Sequence, residues 1–133
     1  MATIKIIHVK PEFVDERGGI ARVLDIEGKK YKINSILRIT QKKGTPPRGN
    51  HYHKKDYHWV YVEKGKMKYS ERLFDKPRAK VVSVILKSGD IVLSSPGVIH
   101  AMQALENTIF WAFTTEKRDQ KSYEKDTVRV KIV

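Results

Sequence analysis

Short runs of β-forming residues alternate with turn signals along the whole chain. The runs are TIKIIHV, IARVLDI, SILRIT, HYH, HWVYVEKG, KMKYSERLF, AKVVSVIL, DIVLSS, HAMQAL, TIFWAFTT and VRVKIV, and the turns between them include DERGG, EGKK, KKGTPPRG, FDKPR and KSGD. Strands of this length and spacing predict an all-β protein, either a barrel or a sandwich. Helical periodicity is absent elsewhere, so the one short helix that the sequence allows lies near EKRDQKSYEKD.

Length and composition limit the class of protein. A chain of 133 residues predicts one domain, 1–133, that is large enough to bury a core. We expect no membrane span because no long apolar run occurs, and a cytoplasmic protein because MATIKIIHVKPEF lacks the pattern of a signal peptide. The absence of cysteine excludes disulfides, thiolate ligands and cysteine nucleophiles.

The net charge of +12 raises the question of a nucleic-acid partner. The basic residues are mostly lysines spread over the whole chain, and the densest groups are KK pairs. We therefore expect no nucleic-acid partner and no membrane partner. A basic surface suits small anionic ligands such as nucleotide phosphates equally well.

Histidines are concentrated in one stretch, RGNHYHKKDYHWVYVEKGK, which holds His51, His53 and His58. Side chains alternate between the faces of a strand, so His51 and His53 project the same way. On the next run, His58 shares a face with Val60 and Val62.

His100 shares a face of a later run with Met102 and Ala104. All four histidines therefore reach the interior if their strands are neighbours. Imidazole pairs at this spacing suit a divalent transition metal. The alternative is that the histidines are polar surface residues, or that His100 is a buried histidine hydrogen-bonded beside a turn.

Two segments resemble the motifs of the cupin family over about residues 44–104. In the first, a histidine pair with one residue between is followed by His58 at the usual carboxylate position and by Gly65. In the second, Gly89, Gly97 and His100 keep their spacing, while the proline is displaced by one position to Pro96.

The resemblance implies a small antiparallel β-barrel, the jelly-roll-like double-stranded β-helix, often dimeric, with ligands in the barrel mouth. It implies one divalent ion, Zn, Mn, Ni, Fe or Cu, held by His51, His53, His58 and His100. Asp56 is the rival of His58 for the third ligand position. Four neutral ligands would leave the ion its full charge and so favour anionic oxygens.

Within the cupins, VDERGG and RGNHYHKK look like segments of dTDP-dehydrorhamnose epimerases and dTDP-ketosugar isomerases. This likeness implies that Arg48 binds diphosphate, that His51 is the base beside the sugar ketone and that His53 is its partner. Histidine suits that role because its pKa lies near neutrality. The alternatives are a plain β-turn at DERGG and a solvated loop arginine at Arg48.

The sequence departs from the epimerases at the catalytic tyrosine, whose place is taken by Ala112. The tyrosines that could substitute are Tyr57, Tyr61 and Tyr69. Arg38 is a second candidate substrate-binding residue, provided that its face of the strand lines the barrel. Trp59 and Tyr61 are expected to pack on the outer face or at a dimer contact.

The sequence thus predicts a metal-binding, single-domain cupin that acts on a sugar or nucleotide-sugar as an isomerase or epimerase. Two alternatives remain at this point, an oxygen-using metal enzyme and a non-enzymatic sugar-binding or regulatory module. We also expect a homodimer, because the terminal runs TIKIIHV and VRVKIV offer strand edges that a partner could cover.

Overall fold

A computed structural model describes residues 4–26 and 31–133. The turn expected at EGKK, residues 27–30, lies outside the described residues. Strand accounts for 54% of the structure and helix for 6%, so the all-β prediction is confirmed. The elements are β1 (Ile6–His8), β2 (Pro11–Asp15), β3 (Gly18–Ala21), β4 (Ser35–Gln41), β5 (Arg48–His53), β6 (His58–Lys64), β7 (Lys66–Leu73), β8 (Val82–Lys87), β9 (Asp90–Ser94), β10 (Val98–Ala104), β11 (Thr108–Thr114), α1 (Gln120–Asp126) and β12 (Thr127–Arg129).

The strands form a jelly-roll sandwich of two five-stranded sheets. The first sheet has the order β1-β9-β6-β11-β4 and the second has the order β12-β5-β10-β7-β8, while β2 and β3 form a separate hairpin. Every pairing is antiparallel. Strands that follow one another along the chain, such as β5 and β6, lie in opposite sheets. Residues of both sheets therefore surround a shared interior.

The core fills the space between the sheets. The first sheet contributes Val60, Val62, Val92 and Phe110, and the second contributes Met67, Tyr69, Leu86 and Met102. Burying one such side chain stabilises the fold by about 1.5–3 kcal/mol. The expected inward face of β6 is confirmed, because His58, Val60 and Val62 are all buried.

The structure differs locally from the sequence prediction near both ends of the described chain, and it confirms the turn at DERGG. The run VRVKIV is strand only as far as Arg129, and PEFVD forms strand β2, which the sequence reading missed. DERGG is the turn of the β2–β3 hairpin, where the backbone amide of Arg17 donates to the Asp15 carboxylate. In the described part of the chain, no helix has the length and apolar character needed to cross a membrane.

Candidate functional site

The four histidines converge at one end of the interior. His51 and His53 lie on β5 and His100 on the adjacent β10, while His58 comes from β6 in the opposite sheet. The ring centroids of His51 and His100 are 4.7 Å apart, those of His53 and His58 are 5.3 Å apart, and those of His58 and His100 are 4.6 Å apart. Rings at these distances can direct one nitrogen each at a common centre.

The backbone of β5 is shaped to bring His51 close to His100. Gly49 has φ +85, and a Cβ atom at this position would lie 2.6 Å from the carbonyl oxygen of His100. The β5–β10 register also shifts between His100 and Ala101, which marks a β-bulge. Bulges of this kind redirect side chains near functional sites.

Two of the histidines carry their proton on Nδ1, because of the partner that each Nδ1 contacts. His58 Nδ1 lies 3.2 Å from the Asp56 carboxylate, which only accepts hydrogen bonds, so this ring must donate. His100 Nδ1 lies 3.2 Å from the Ser94 hydroxyl, which can donate or accept, and 3.4 Å from the carbonyl of Val98.

For His53 the argument takes one more step. Its Nδ1 lies 3.3 Å from Thr127 Oγ1, and that hydroxyl donates its own hydrogen to the carbonyl of Tyr123 at 2.6 Å. The threonine oxygen therefore accepts from His53. The Nε2 atom of His53 is buried and has no hydrogen-bond partner, which is unusual for a buried polar atom.

Burial sets the protonation state of the cluster. It lowers the pKa of His51 to about 4 and that of His53 to about 3, and the neighbouring His58 adds to both shifts. Burial also lowers the pKa of His100 well below its ordinary value. These three rings are therefore neutral at neutral pH, the form in which imidazole binds a metal or accepts a proton.

Asp56 is held by several donors next to His58. Its Oδ1 atom accepts from the backbone amides of Thr115 and Glu116, both at 3.0 Å, and its Oδ2 atom faces His58. Burial alone would raise the pKa of Asp56, but the hydrogen bonds from His58 and Glu116 keep it below its ordinary value. The carboxylate is thus ionised and orients the His58 ring.

The donor set fits a divalent transition metal. One group of potential ligands is His51, His53 and His100, and a second is His53, Asp56 and His58. The outer partners of the Nδ1 atoms fix ring orientation in the manner found around histidine metal sites. The two groups share His53, and neither contains both His58 and His100, so the ion site built from all four histidines stays a prediction.

The histidines face a cavity of about 130 Å³ that opens beside a larger basic groove of about 600 Å³. Apolar side chains complete the cavity wall, namely Ile39, Val60, Met102, Phe110 and Ala112. The groove carries the cations Lys42, Arg48 and Arg129, and Arg48 and His51 line both spaces. Arg48 donates to the carbonyl of Thr40 at 3.0 Å.

Several residues singled out from the sequence lie away from the cavity. Arg38 is exposed on β4 and Ile39 lines the cavity in its place, because neighbouring residues face opposite sides of a strand. Arg17 of DERGG is exposed in its hairpin and pairs with Asp15.

None of the three candidate tyrosines lines the cavity. Tyr57 packs on Tyr31 at 4.6 Å between ring centroids, and Tyr69 donates to Glu71 inside the core at 2.7 Å. Tyr61 lies beside Trp111 in the β6–β11 ladder, on the outer face as expected. Ala112 does line the cavity, so the position that the resemblance gives to a tyrosine faces the site and carries only a methyl group.

Sequence reasoning missed two cavity residues, Arg118 and Tyr123, which belong to the C-terminal segment. The guanidinium carbon of Arg118 lies 4.4 Å from the centroid of the Tyr123 ring. The short helix expected near EKRDQKSYEKD is confirmed as α1, but no local pattern indicates that this segment crosses the cavity mouth.

No family model matches the sequence, and no curated protein matches it. The structure nevertheless resembles many solved structures. The jelly roll with histidines at one end is the cupin fold, in the form shared by dTDP-sugar 3,4-ketoisomerases and dTDP-4-dehydrorhamnose 3,5-epimerases.

Three similar structures show how far this likeness extends. A 3,4-ketoisomerase from Thermoanaerobacterium thermosaccharolyticum, in complex with TDP-4-keto-6-deoxyglucose, is 18% identical with a TM-score of 0.76, and the match covers 97% of this chain and 88% of that one. A dTDP-4-dehydrorhamnose 3,5-epimerase from Sulfolobus tokodaii is 22% identical with a TM-score of 0.76, covering 97% and 77%. A TDP-quinovose 3,4-ketoisomerase from Campylobacter jejuni is 14% identical with a TM-score of 0.75, covering 92% of both chains.

Proposed function

We propose that this protein is a metal-binding cupin that isomerises or epimerises a keto-sugar carried on a nucleoside diphosphate. The observation that carries the proposal is the pairing of two spaces. A small cavity lined by four histidines opens beside a groove lined by three cations. The cavity suits a sugar ring, and the groove suits an anionic diphosphate.

The groove cations have distinct settings. Arg48 lies at the junction of groove and cavity, where its planar guanidinium would bind phosphate oxygens in a bidentate manner. Arg129 is already paired with the Glu124 carboxylate at 2.8 Å, and Lys42 lines the groove but not the cavity. Arg48 is therefore the main candidate for the diphosphate.

His51 is the proposed base. It is the least buried of the four histidines and lines both spaces, so a sugar held by Arg48 would meet it first. Its neutral ring would take a proton from the carbon next to the ketone, and the electron pair of that bond would move to the ketone oxygen. His53 is its proposed partner.

A divalent ion in the site would supply positive charge to the developing enolate oxygen. The proposed ligands are His51, His53, His58 and His100. One nitrogen of His51 cannot hold an ion and accept a proton at the same time. Metal-free and metal-loaded protein must therefore be assayed separately.

The similar structures support the substrate class. One was solved with TDP-4-keto-6-deoxyglucose, and another, a 3,5-epimerase from Legionella pneumophila, was solved with dTDP-4-keto-L-rhamnose. Both ligands combine a nucleoside diphosphate with a keto-sugar, which is the combination that we propose for the groove and the cavity.

Solvent exchange tests the proposal. The protein is incubated with dTDP-4-keto-6-deoxyglucose in deuterium oxide, and deuterium at the carbons beside the ketone is followed by NMR. We expect enzyme-dependent exchange that His51→Asn abolishes and His8→Asn retains, because His8 lies outside the cavity against Asp90. Binding without exchange would indicate a non-enzymatic sugar-binding module, and oxygen uptake with redox-active iron or copper would indicate an oxygen-using enzyme.

A further inference from the structure

The C-terminal strap, which we define as residues 115–127, crosses the mouth of the histidine cavity. Both of its ends are hydrogen-bonded to the sandwich. At the start, the amide of Thr115 donates to the carbonyl of Tyr57 at 3.0 Å. At the end, the Asp126 carboxylate accepts from the amide of Lys55 at 2.8 Å, and β12 pairs with β5. The strap is therefore a built part of the site.

Tyr123 is the strap residue that contacts His51. Its ring centroid lies 6.0 Å from those of His51 and of His53, and its hydroxyl lies 3.5 Å from His51 Nδ1. Tyr123 lines both the groove and the cavity, and it is the one tyrosine among the described residues of the cavity wall.

His51 differs from His53 and His58 in its Nδ1 partner. His53 and His58 each donate from Nδ1 to an oxygen that has no hydrogen to give back. His100 Nδ1 lies between the Ser94 hydroxyl at 3.2 Å and the carbonyl of Val98 at 3.4 Å. A tyrosine hydroxyl can donate as well as accept. The contact with Tyr123 therefore allows either tautomer of His51.

We propose that Tyr123 is the positioning residue of His51. Its hydroxyl oxygen accepts a hydrogen bond from the Nδ1–H group of His51, and this bond directs the Nε2 lone pair into the cavity. This inference rests on the proposed function, since both a metal ligand and a base need that lone pair. It gives His51 the same tautomer as His53 and His58. The tyrosine hydrogen then faces the groove, where solvent or a bound anion accepts it.

Arg118 holds the tyrosine ring in this place. Its guanidinium carbon sits 4.4 Å from the ring centroid, a cation–π arrangement. Asp119 caps the start of α1, the helix that carries Tyr123, because its side chain accepts from the amide of Ser122 at 3.0 Å. A lysine at position 118 would keep the charge over the ring, whereas a glutamine would lose it.

Nitrogen NMR of ¹⁵N-histidine protein tests the proposal without substrate or metal. The spectrum is recorded after metal removal at about pH 8, well above the reference pKa of histidine, and the His51 signals are assigned with His51→Asn. We expect wild-type His51 to show a protonated Nδ1, and Tyr123→Phe to shift it to the Nε2–H tautomer. Arg118→Gln should shift part of the population, and Arg118→Lys should not.

Tyr52→Phe is the matched control, because Tyr52 lies on the same strand and stacks on Phe74 at 4.9 Å, outside the cavity. It should leave the His51 signals unchanged. A wild-type His51 already protonated on Nε2 would overturn the proposal, as would a Tyr123→Phe spectrum equal to wild type. Absence of isomerase activity would count against the proposed function alone, since the tautomer is read without any substrate.

Discussion

His51 and His100 are direct neighbours in the β5–β10 ladder, with ring centroids 4.7 Å apart. The approach of the two strands depends on Gly49, whose α-carbon faces the carbonyl of His100. Two histidines that are far apart in sequence thus meet because Gly49, beside them in the ladder, has no side chain.

Gly49→Ala should therefore damage both stability and the site. The new Cβ would lie 2.6 Å from the His100 oxygen, and backbone has little room to yield. Gly44→Ala is the matched control, since Gly44 also has a positive φ but meets nothing within 4 Å. The positive φ costs about 1–2 kcal/mol in both variants, so urea unfolding should show a larger loss for Gly49→Ala. Equal losses would contradict the close approach.

The stability of the metal-free protein should fall in mild acid. The pKa of His51 is lowered from 6.5 to about 4 in the folded protein, chiefly by burial. Between these values the unfolded chain binds a proton that the folded chain does not. Stability is therefore full above pH 6.5 and decreases as the pH falls toward 4, by up to about 1.4 kcal/mol per pH unit for each such histidine.

Urea titrations over this pH range check the direction in which stability changes with pH and whether the buried histidines cause the change. His51→Asn should reduce the slope of stability against pH, because one proton-linked group is removed. A stability that is constant between pH 6.5 and 4, or that rises in acid, would show that the histidines are not held neutral by burial.

We expect a homodimer that covers the outer face of the first sheet. This face carries the half-buried Tyr61, Trp111 and Phe113 on its central strands, and Ile36 on β4 is 60% exposed. Apolar side chains that stay partly exposed on one face favour an interaction site. A second copy of the chain would bury it in an isologous contact.

Sedimentation at micromolar concentration tests the dimer. Ile36→Lys should shift the protein to monomer, whereas Ile85→Lys should not, since Ile85 is 51% exposed on β8 of the second sheet. A monomeric wild type, or equal effects of the two substitutions, would refute this interface.

The histidine cluster could be predicted from sequence because two simple rules combine. Residues two apart share a face of a strand, and apolar neighbours such as Val60 tell which face is buried. The same rules failed for Arg38, because β4 has apolar residues on both faces and the exposed Ile36 looks like a core residue. Apolar alternation identifies a face only where one side is solvated.

The helix of the C-terminal strap could be predicted, but its position over the cavity could not. Tyr123 and Arg118 reach the cavity through the path of the chain after β11, which depends on contacts far apart in sequence, such as Asp126 with the amide of Lys55. The proton positions were equally hidden, since they follow from the Nδ1 partners that only the structure brings together.

Metal content across four proteins tests the central claim most directly. Protein purified without a histidine tag in the presence of divalent metals is compared by elemental analysis as wild type, His58→Glu, His58→Ala and His53→Ala. We expect one ion per chain in wild type and in His58→Glu, because a carboxylate oxygen can replace the imidazole nitrogen. His58→Ala should hold less, and His53→Ala least, since it removes the buried Nε2 atom that has no other partner. Equal metal in all four proteins, or none in any of them, would contradict a four-histidine metal site.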